Sequence, residues 1–100
     1  MDKRIDLIID RLKEVYDPEI PVNIYDLGLI YNVDVDENDK ANIVMTLTAP
    51  GCPVADILVE DVNEAAKVEG VKETHVELTF EPPWDKSMMS EEARLELGFF

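Results

Sequence analysis

A chain of 100 residues is long enough for one domain with a modest core, and 46% hydrophobic residues are typical of a globular protein. Its 23 acidic residues outnumber 9 basic ones, so the formal net charge at pH 7 is −14. This charge excludes binding to nucleic acid or to an anionic membrane surface, because both require a basic face. A partner protein with a basic surface is compatible with it.

The N-terminus and the cysteine content predict where the protein works. Residues 1–6 lead into a charged, periodic segment without the apolar stretch and small-residue cleavage site of a secretory signal. No apolar run approaches the roughly 18 residues of a membrane span. The single cysteine, Cys52, cannot form an internal disulfide. We therefore expect a cytoplasmic protein in which residues 1–100 form a single domain, with residues 81–100 as a C-terminal tail.

The first segments predict an amphipathic helix and an acidic loop. Residues 2–16 place apolar side chains at helical spacing, and Asp2 is available as the N-cap. Asp17-Pro18 ends the helix, because the residue before a proline avoids helical geometry. The loop of residues 17–28 closes at Gly28 and carries Asp17, Glu19 and Asp26. These carboxylates serve either as oxygen ligands and docking groups or as caps and turn formers.

Two alternating segments predict a β-hairpin. Residues 29–35 and 41–48 alternate in hydrophobicity and flank a short polar connection, so the second strand should return antiparallel to the first. On the second strand, the face that we assign to the core carries Ile43, Met45 and Leu47. Thr46 and Thr48 then project from the opposite face, which needs cover from the tail, a second subunit or a partner. Candidate covers are Trp84, Phe99 and Phe100.

The turn after this strand carries the candidate reactive residue. Pro50-Gly51 interrupts regular backbone and Pro53 suits a first helical position, so Cys52 is expected at a helix N-terminus. The free N–H groups and the helix dipole favour an anionic sulfur there, which lowers the thiol pKa below its ordinary value of about 8.5. The turn therefore predicts a reactive or metal-binding thiolate, although a lone cysteine is also commonly a buried, inert residue.

A second helix and a third strand follow. The apolar positions of the helix are Val54, Ile57, Leu58, Val62 and Ala65, and the segment extends to Val68 or Glu69 before Gly70 ends it. Residues 71–80 alternate, and one face of this strand carries Val76, Leu78 and Phe80. Further on, Ser90 is expected to open a short last helix that Gly98 stops.

The order of these elements predicts the fold class. A strand, a helix and another strand in succession favour a right-handed crossover and parallel pairing. We therefore predict an α+β fold in α-β-β-α-β order, in which two helices cover one face of a small mixed sheet.

Four segments of the sequence resemble a known family. They read DPEIPVNIYDLGLIY at residues 17–31, MTLTAPGCP at residues 45–53, and EPPWD with MSEEAR at residues 81–85 and 89–94. They are similar to the SufT and PaaD-like family of small iron-sulfur cluster assembly proteins, over nearly everything after the first helix. The PaaD branch typically has further C-terminal cysteines of zinc-site type, and their absence here favours the SufT side.

The resemblance implies a fold akin to the iron-sulfur cluster assembly domains and an auxiliary role in cluster assembly or transfer, without enzymatic activity. The implied site residues are Cys52, Thr46, Thr48, Asp17 and Glu19, with Asp26 in the same loop. Among them Cys52 would be the metal ligand. The implied cargo is an iron-sulfur cluster or iron, held transiently. The implied partners are an assembly scaffold or client apoproteins.

A single cysteine limits how a cluster could be held. A cluster normally takes about four thiolate ligands, so one chain fits transient transfer better than storage, and a homodimer would offer two sulfurs. Two other functions stay open from the residues. One is an adaptor that recruits clients through its acidic surface, with an incidental cysteine. The other is a thiol enzyme, which would need His75 or Arg94 brought beside Cys52 by the fold.

Overall fold

The computed structural model describes residues 2–17, 20–48 and 55–98. These residues form, in order, α1 (Lys3–Leu12), β1 (Ile30–Val35), β2 (Lys40–Met45), α2 (Ala55–Ala65), β3 (Glu73–Leu78), a 3-10 turn (Lys86–Met88) and α3 (Glu91–Leu97). The predicted α-β-β-α-β order is confirmed. The short last helix is also confirmed, with Ser90 as its N-cap and Gly98 at its end.

Helix α1 is capped and packed as its pattern predicts. The side chain of Asp2 accepts a hydrogen bond from the backbone N–H of Arg4 at 2.9 Å, which satisfies one of the free donors of the first turn. On the inner side of the helix, Ile8 and Leu12 are fully buried in the hydrophobic core. Burial of this apolar side, more than helix propensity, holds a ten-residue helix in place.

The end of α1 differs from the prediction. The helix ends at Leu12 and does not continue to residue 16. The next residues pair instead with the acidic loop: Ile24 donates its N–H to the carbonyl of Val15 at 2.8 Å, and Tyr16 forms a β-bridge with Asn23. These long-range bonds replace helical ones, and a helical period in the sequence cannot predict such a competition.

The strands form a mixed sheet in the order β1-β2-β3. β1 and β2 form the predicted antiparallel hairpin, with a bulge between Ile30 and Asn32. β2 and β3 are parallel, and Met45 at the end of β2 lies opposite Leu78. β2 is therefore the central strand, and β3 lies at one edge of the sheet.

Both helices lie on the same face of this sheet. Ala41, Ile43 and Met45 of β2 are buried, whereas Asn42 and Val44 between them are only half-buried. α1 contacts β1 and α2, and α2 also contacts β3. The predicted arrangement of two helices on one face of a small mixed sheet is confirmed, and the core lies between these two layers.

The apolar stripe of α2 is narrower and shorter than predicted. Leu58 and Val62 are buried, but Ile57, which we assigned to the same face, is 62% exposed. The helix ends at Ala65, and Gly70 adopts a positive φ of 91° in the turn that follows. Because β3 is the last strand, nothing among the described residues extends the sheet beneath the outer side of α2, and this leaves Ile57 in solvent.

The face of the third strand that carries Val76, Leu78 and Phe80 is only partly buried. Val76 packs against the core, but Leu78 and Phe80 are 38% and 37% exposed. The alternation of the strand is correct. Leu78, the last residue of β3, and Phe80 beyond it lie past the part of the strand that α2 covers.

The C-terminal segment packs back onto the acidic loop and β1. The indole Nε1 of Trp84 donates to the carbonyl of Leu27 at 2.7 Å, and the hydroxyl of Tyr31 donates to the carbonyl of Pro82 at 2.7 Å. Trp84 also packs against the core, and Met89 is buried in it. Residues 82–89 therefore form part of the packed structure.

The outer face of the sheet is largely polar. Its exposed residues are Asn32, Asp34, His75 and Glu77. Such a face is stable in water, so it needs no cover along most of its length. Phe99 and Phe100, two of the predicted covers, lie outside the described residues.

Candidate functional site

The end of β2 carries the two predicted hydroxyls. The backbone N–H of Thr46 donates to the carbonyl of Leu29 at 2.8 Å, and the carbonyl of Met45 accepts from the N–H of Thr79 at 2.8 Å. These bonds continue the sheet past β2 on both sides. The side chain of Thr46 is fully buried at this strand end, whereas that of Thr48 is half-buried.

The hydroxyl of Thr46 has unused bonding capacity. Within the described part of the chain, its Oγ1 is the one buried side-chain oxygen or nitrogen that lacks a hydrogen-bond partner. Burial of a hydroxyl without a partner costs roughly 1 to 3 kcal/mol, and native proteins retain few such groups. The hydroxyl is therefore available to a group that the described residues do not supply.

Cys52 lies in residues 49–54, which fall outside the described residues. This segment joins the end of β2 to α2 in sequence. The position of Cys52 at a helix N-terminus, its role as a metal ligand and its lowered pKa therefore stay predictions. What the structure describes is the preceding strand end, where Thr46 is buried and Thr48 is half-buried.

The acidic loop is held together by one of its own carboxylates. Asp17 is buried, and its Oδ1 accepts a hydrogen bond from the backbone N–H of Ile20 at 3.1 Å. The N–H of Asp17 donates to the carbonyl of Val22 at 3.4 Å, which closes the same loop. Glu19 lies outside the described residues. The carboxylate of Asp17 thus has a structural partner, in the manner of a turn-forming aspartate.

Asp26 is a turn former that also anchors the C-terminal segment. Its carboxylate accepts from the side-chain amide of Asn23 at 2.8 Å, and its own N–H donates back to the Asn23 side-chain oxygen at 2.9 Å. Its carbonyl accepts from the N–H of Ser90 at 2.8 Å. These bonds explain the conformation of Asp26 without a ligand, so the structural interpretation of this residue is the better one.

An acidic surface cavity lies between this loop and α3. It has a volume of about 220 Å³, and its polar lining comprises Tyr16, Asn23, Asp26, Glu92 and Glu96. The sequence did not predict this arrangement, because the cavity is lined by residues 16–26 and by residues 92–96, which are far apart in the chain. The acidic residues at the start of the last helix were visible in the sequence, but only the packing of α3 brings them opposite Asp26.

The two residues that a thiol enzyme would need beside Cys52, His75 and Arg94, lie on different elements. His75 is exposed on the outer face of β3, opposite Asn42, as its alternation predicts. Arg94 is half-buried in α3. Among the residues of the described ranges, no group of three or more His, Cys, Asp or Glu side chains is arranged to hold a metal ion. Within the same ranges, every helix is too short or too polar to cross a membrane.

The described residues form a small α+β domain with a three-stranded mixed sheet. The chain belongs to the family described as iron-sulfur cluster assembly protein, which matches its residues 5–78. The resemblance predicted from the four sequence segments is thereby confirmed.

Relatives and a solved structure extend this match. A protein of Porphyromonas gingivalis named "Fe-S protein maturation auxiliary factor" is 61% identical over 92% of this chain and 89% of its own length. The "Fe-S protein maturation auxiliary factor SufT" of Staphylococcus aureus is 39% identical over 84% of this chain and 97% of its own. The crystal structure of a domain of unknown function, DUF59, from Bacillus anthracis superposes with a TM-score of 0.89, at 40% identity and over 98% and 94% of the two chains.

Proposed function

We propose that this protein is an auxiliary factor in the maturation of iron-sulfur proteins, which assembles clusters or transfers them to client apoproteins. Family membership and the nearly full-length match to relatives named as maturation factors support this role. Those relatives are named as auxiliary factors and not as enzymes, so we propose that the protein acts without catalysing a reaction of its own. The structural observation that points to its site is the buried, unpartnered hydroxyl of Thr46.

The site that we propose centres on the segment between β2 and α2, residues 46–54. Cys52 supplies the thiolate that binds the iron of the cargo, since thiolates are the usual protein ligands of iron-sulfur clusters. Thr46 and Thr48 lie at the start of this segment. Their hydroxyls donate hydrogen bonds to sulfur, and such bonds stabilise negative charge on a ligand or cargo sulfur.

The acidic loop contributes in two ways in this proposal. Asp17 holds the loop by accepting the N–H of Ile20. Glu19, two residues further along, then presents its carboxylate as an oxygen ligand for iron or as a docking group. In this proposal Asp17 positions the loop and Glu19 contacts the cargo, so each of the two predicted residues has a role.

One thiolate per chain favours transfer over storage. A cluster takes about four ligands, so the others must come from a second copy, from the scaffold or from the client that receives the cluster. A cluster held by few protein ligands leaves readily, as a transfer factor requires. We therefore propose transient binding, with an assembly scaffold or client apoproteins as the partners and a homodimer as one way to bring two thiolates together.

Replacement of Cys52 by serine tests the proposal. The parent and Cys52→Ser would be incubated anaerobically with iron and sulfide, analysed for both elements and recorded as absorption spectra, then mixed with an apo-ferredoxin acceptor. We expect the variant to lose cluster binding and transfer. Equal binding by both proteins would remove Cys52 as the ligand. Unchanged client maturation in cells carrying Cys52→Ser would favour the adaptor, for which the acidic cavity is a ready docking surface.

A pair of substitutions separates the role of Thr46 from mere packing. Thr46→Val removes the unpartnered hydroxyl at constant shape, so we expect the free energy of unfolding to rise by about 1 kcal/mol while cluster transfer falls. Thr46→Ser keeps the hydroxyl, and we expect it to retain transfer despite the loss of a buried methyl group. If Thr46→Val transfers clusters as well as the parent, the hydroxyl has no part in the site.

A further inference from the structure

The outer edge of β3 has backbone groups that pair with no other described element. The N–H of Thr79, just after β3, donates to the last carbonyl of β2 at 2.8 Å, so the polar groups of residue 79 point towards β2. Successive residues of a strand direct these groups to opposite sides. Those of Thr74, Val76 and Leu78 therefore point away from β2. Of the described elements, β3 contacts only β2 and α2, which leaves this edge open.

A groove runs beside this edge, between β3 and α2. This β3 groove has a volume of about 540 Å³ and is lined mainly by Asp56, Val59, Glu60, Asn63, Val76 and Leu78. Val59 and Val76 pack against the core and form its apolar floor. The hydroxyl of Thr74 donates to the side-chain oxygen of Asn63 and closes one end. Leu78 is exposed at the other end of the groove. Ile57 is exposed on the adjacent side of α2.

Carboxylates flank the open edge on both faces of the sheet. On the helix side, Asp56 and Glu60 are exposed at the rim of the groove. On the outer side, Glu73 and Glu77 are exposed along β3. A basic residue, Lys72, precedes the strand, and its ammonium group lies 3.5 Å from a carboxylate oxygen of Asp39. The field along the edge is therefore negative, and it favours a positively charged occupant.

We propose that the β3 groove and the open edge of β3 bind an extended, basic segment of a partner protein, which adds one further strand to the sheet. The backbone of the segment pairs with Thr74, Val76 and Leu78. Alternate side chains of an added strand face opposite sides of the sheet, so the segment would place apolar residues over Val59 and Val76 and lysine or arginine beside Glu73 and Glu77. This binding is independent of any cluster, because it uses none of residues 46–54, which carry the proposed cluster site.

The carboxylates along this edge also disfavour a second copy of the chain as the occupant. Pairing of β3 with β3 of another molecule would bring Glu73, Glu77 and the α2 rim of both copies together. Like charges facing each other across a strand pair or an interface are destabilising. A basic segment from a different protein gains from the same charges and encounters no such repulsion.

The test uses a capped synthetic peptide of alternating valine and lysine as the probe for the intact protein. Binding is followed by the backbone amide shifts of the protein in two-dimensional nuclear magnetic resonance spectra. We expect saturable shifts confined to β3 and α2, largest at Thr74, Val76 and Leu78. Methylation of the peptide amides that face β3 removes their hydrogen bonds and should weaken binding at least about tenfold.

Matched substitutions distinguish binding at the edge of β3 from nonspecific attraction of a basic peptide to an acidic protein. Glu77→Lys and Asp10→Lys change the net charge equally, but Asp10 is exposed on α1, which packs on the β1 side. We expect Glu77→Lys to weaken peptide binding severalfold and Asp10→Lys to change it less than about twofold. Three results would each overturn the proposal: no binding, equal binding of the methylated peptide, or shifts at the acidic cavity. Shifts of β3 amides with protein concentration alone would assign the edge to a second copy and would also overturn it.

Discussion

Gly28 is a position where a side chain cannot be accommodated. Its φ is 83°, and a Cβ at this position would overlap the carbonyl oxygen of Met88 in the C-terminal segment. We expect Gly28→Ala to lower the free energy of unfolding by at least about 2 kcal/mol, because it combines left-handed backbone strain with a steric overlap. Urea denaturation at neutral pH measures the loss.

Gly98 provides the matched control for this prediction. It has a similar φ of 79°, but a Cβ there meets nothing within 4 Å. Gly98→Ala should therefore cost only the backbone strain, about 1 kcal/mol. Equal losses for the two variants would contradict the close packing of Met88 against Gly28.

At the scale of the element, α3 depends on its cap. The hydroxyl of Ser90 accepts the backbone N–H of Ala93 at 3.1 Å, and Ala93 itself is buried. We expect Ser90→Ala to lower the free energy of unfolding by about 1 kcal/mol. Ser87→Ala, at an exposed position in the preceding turn, is the control and should change stability by less than about 0.5 kcal/mol. A loss as large at Ser87 would mean that the cap is not the cause.

The elements also differ in how far the sequence predicts them. Asp2 and Ser90 cap their helices as expected, because a cap is a local interaction between a side chain and the next turn. The end of α1 was predicted too late, because Val15 and Tyr16 pair with residues of the following loop. Local propensity cannot include a partner that only folding brings near.

At the scale of the whole molecule, one arginine joins three parts of the chain. The guanidinium of Arg4 donates to Asp2 at 2.8 Å, to Asp39 at 2.6 Å and to the carbonyl of Gly70 at 2.9 Å. Hydrogen bonds from Arg4 hold the pKa values of Asp2 and Asp39 below their ordinary value of 3.8, and the same carboxylates raise the pKa of Arg4. The start of α1, the hairpin turn and the turn before β3 are thereby connected.

These pKa shifts predict how stability depends on pH. The folded-state pKa values of Asp2 and Asp39 are lower than in the unfolded chain, so in acid the unfolded state binds more protons and is favoured. The stability that the pair contributes is fully present above about pH 5 and is lost as the pH falls from 3.8 through the lowered values. We therefore expect Arg4→Met to destabilise the protein at about pH 7 and to have much less effect at about pH 2.

The parent and Arg4→Met must be compared at each pH, because the net charge of −14 at pH 7 becomes less negative in acid and this also changes stability. Protonation of surface carboxylates reduces self-repulsion, which acts on the parent and the variant alike. Arg11→Met is the control, because Arg11 is exposed and lies 3.7 Å from Glu14 in a pair on the surface of α1. The prediction fails if the difference between the parent and Arg4→Met in urea denaturation is the same at both pH values.

The candidate site was only partly predictable. The alternation of β2 placed Thr46 and Thr48 opposite the core residues, but it could not indicate that Thr46 would be buried without a partner. The strand end is hydrogen-bonded to residues 29 and 79, which are distant from Thr46 in sequence, and alternation within β2 does not include such neighbours. The acidic cavity joins Asp26 to Glu92 of α3, and no pattern in either segment predicts the other.

The sequence by itself determined the element types, their order, the helix caps and the buried face of the central strand. These features depend on periodicity and on contacts between near neighbours, which the order of residues encodes directly. Only the tertiary structure decided that Ile57 and Leu78 would be exposed, that Asp17 would close its own loop, and that no other described strand would pair with the outer edge of β3. Each of these depends on which segments fill the space around a residue, and that is a property of the packed chain.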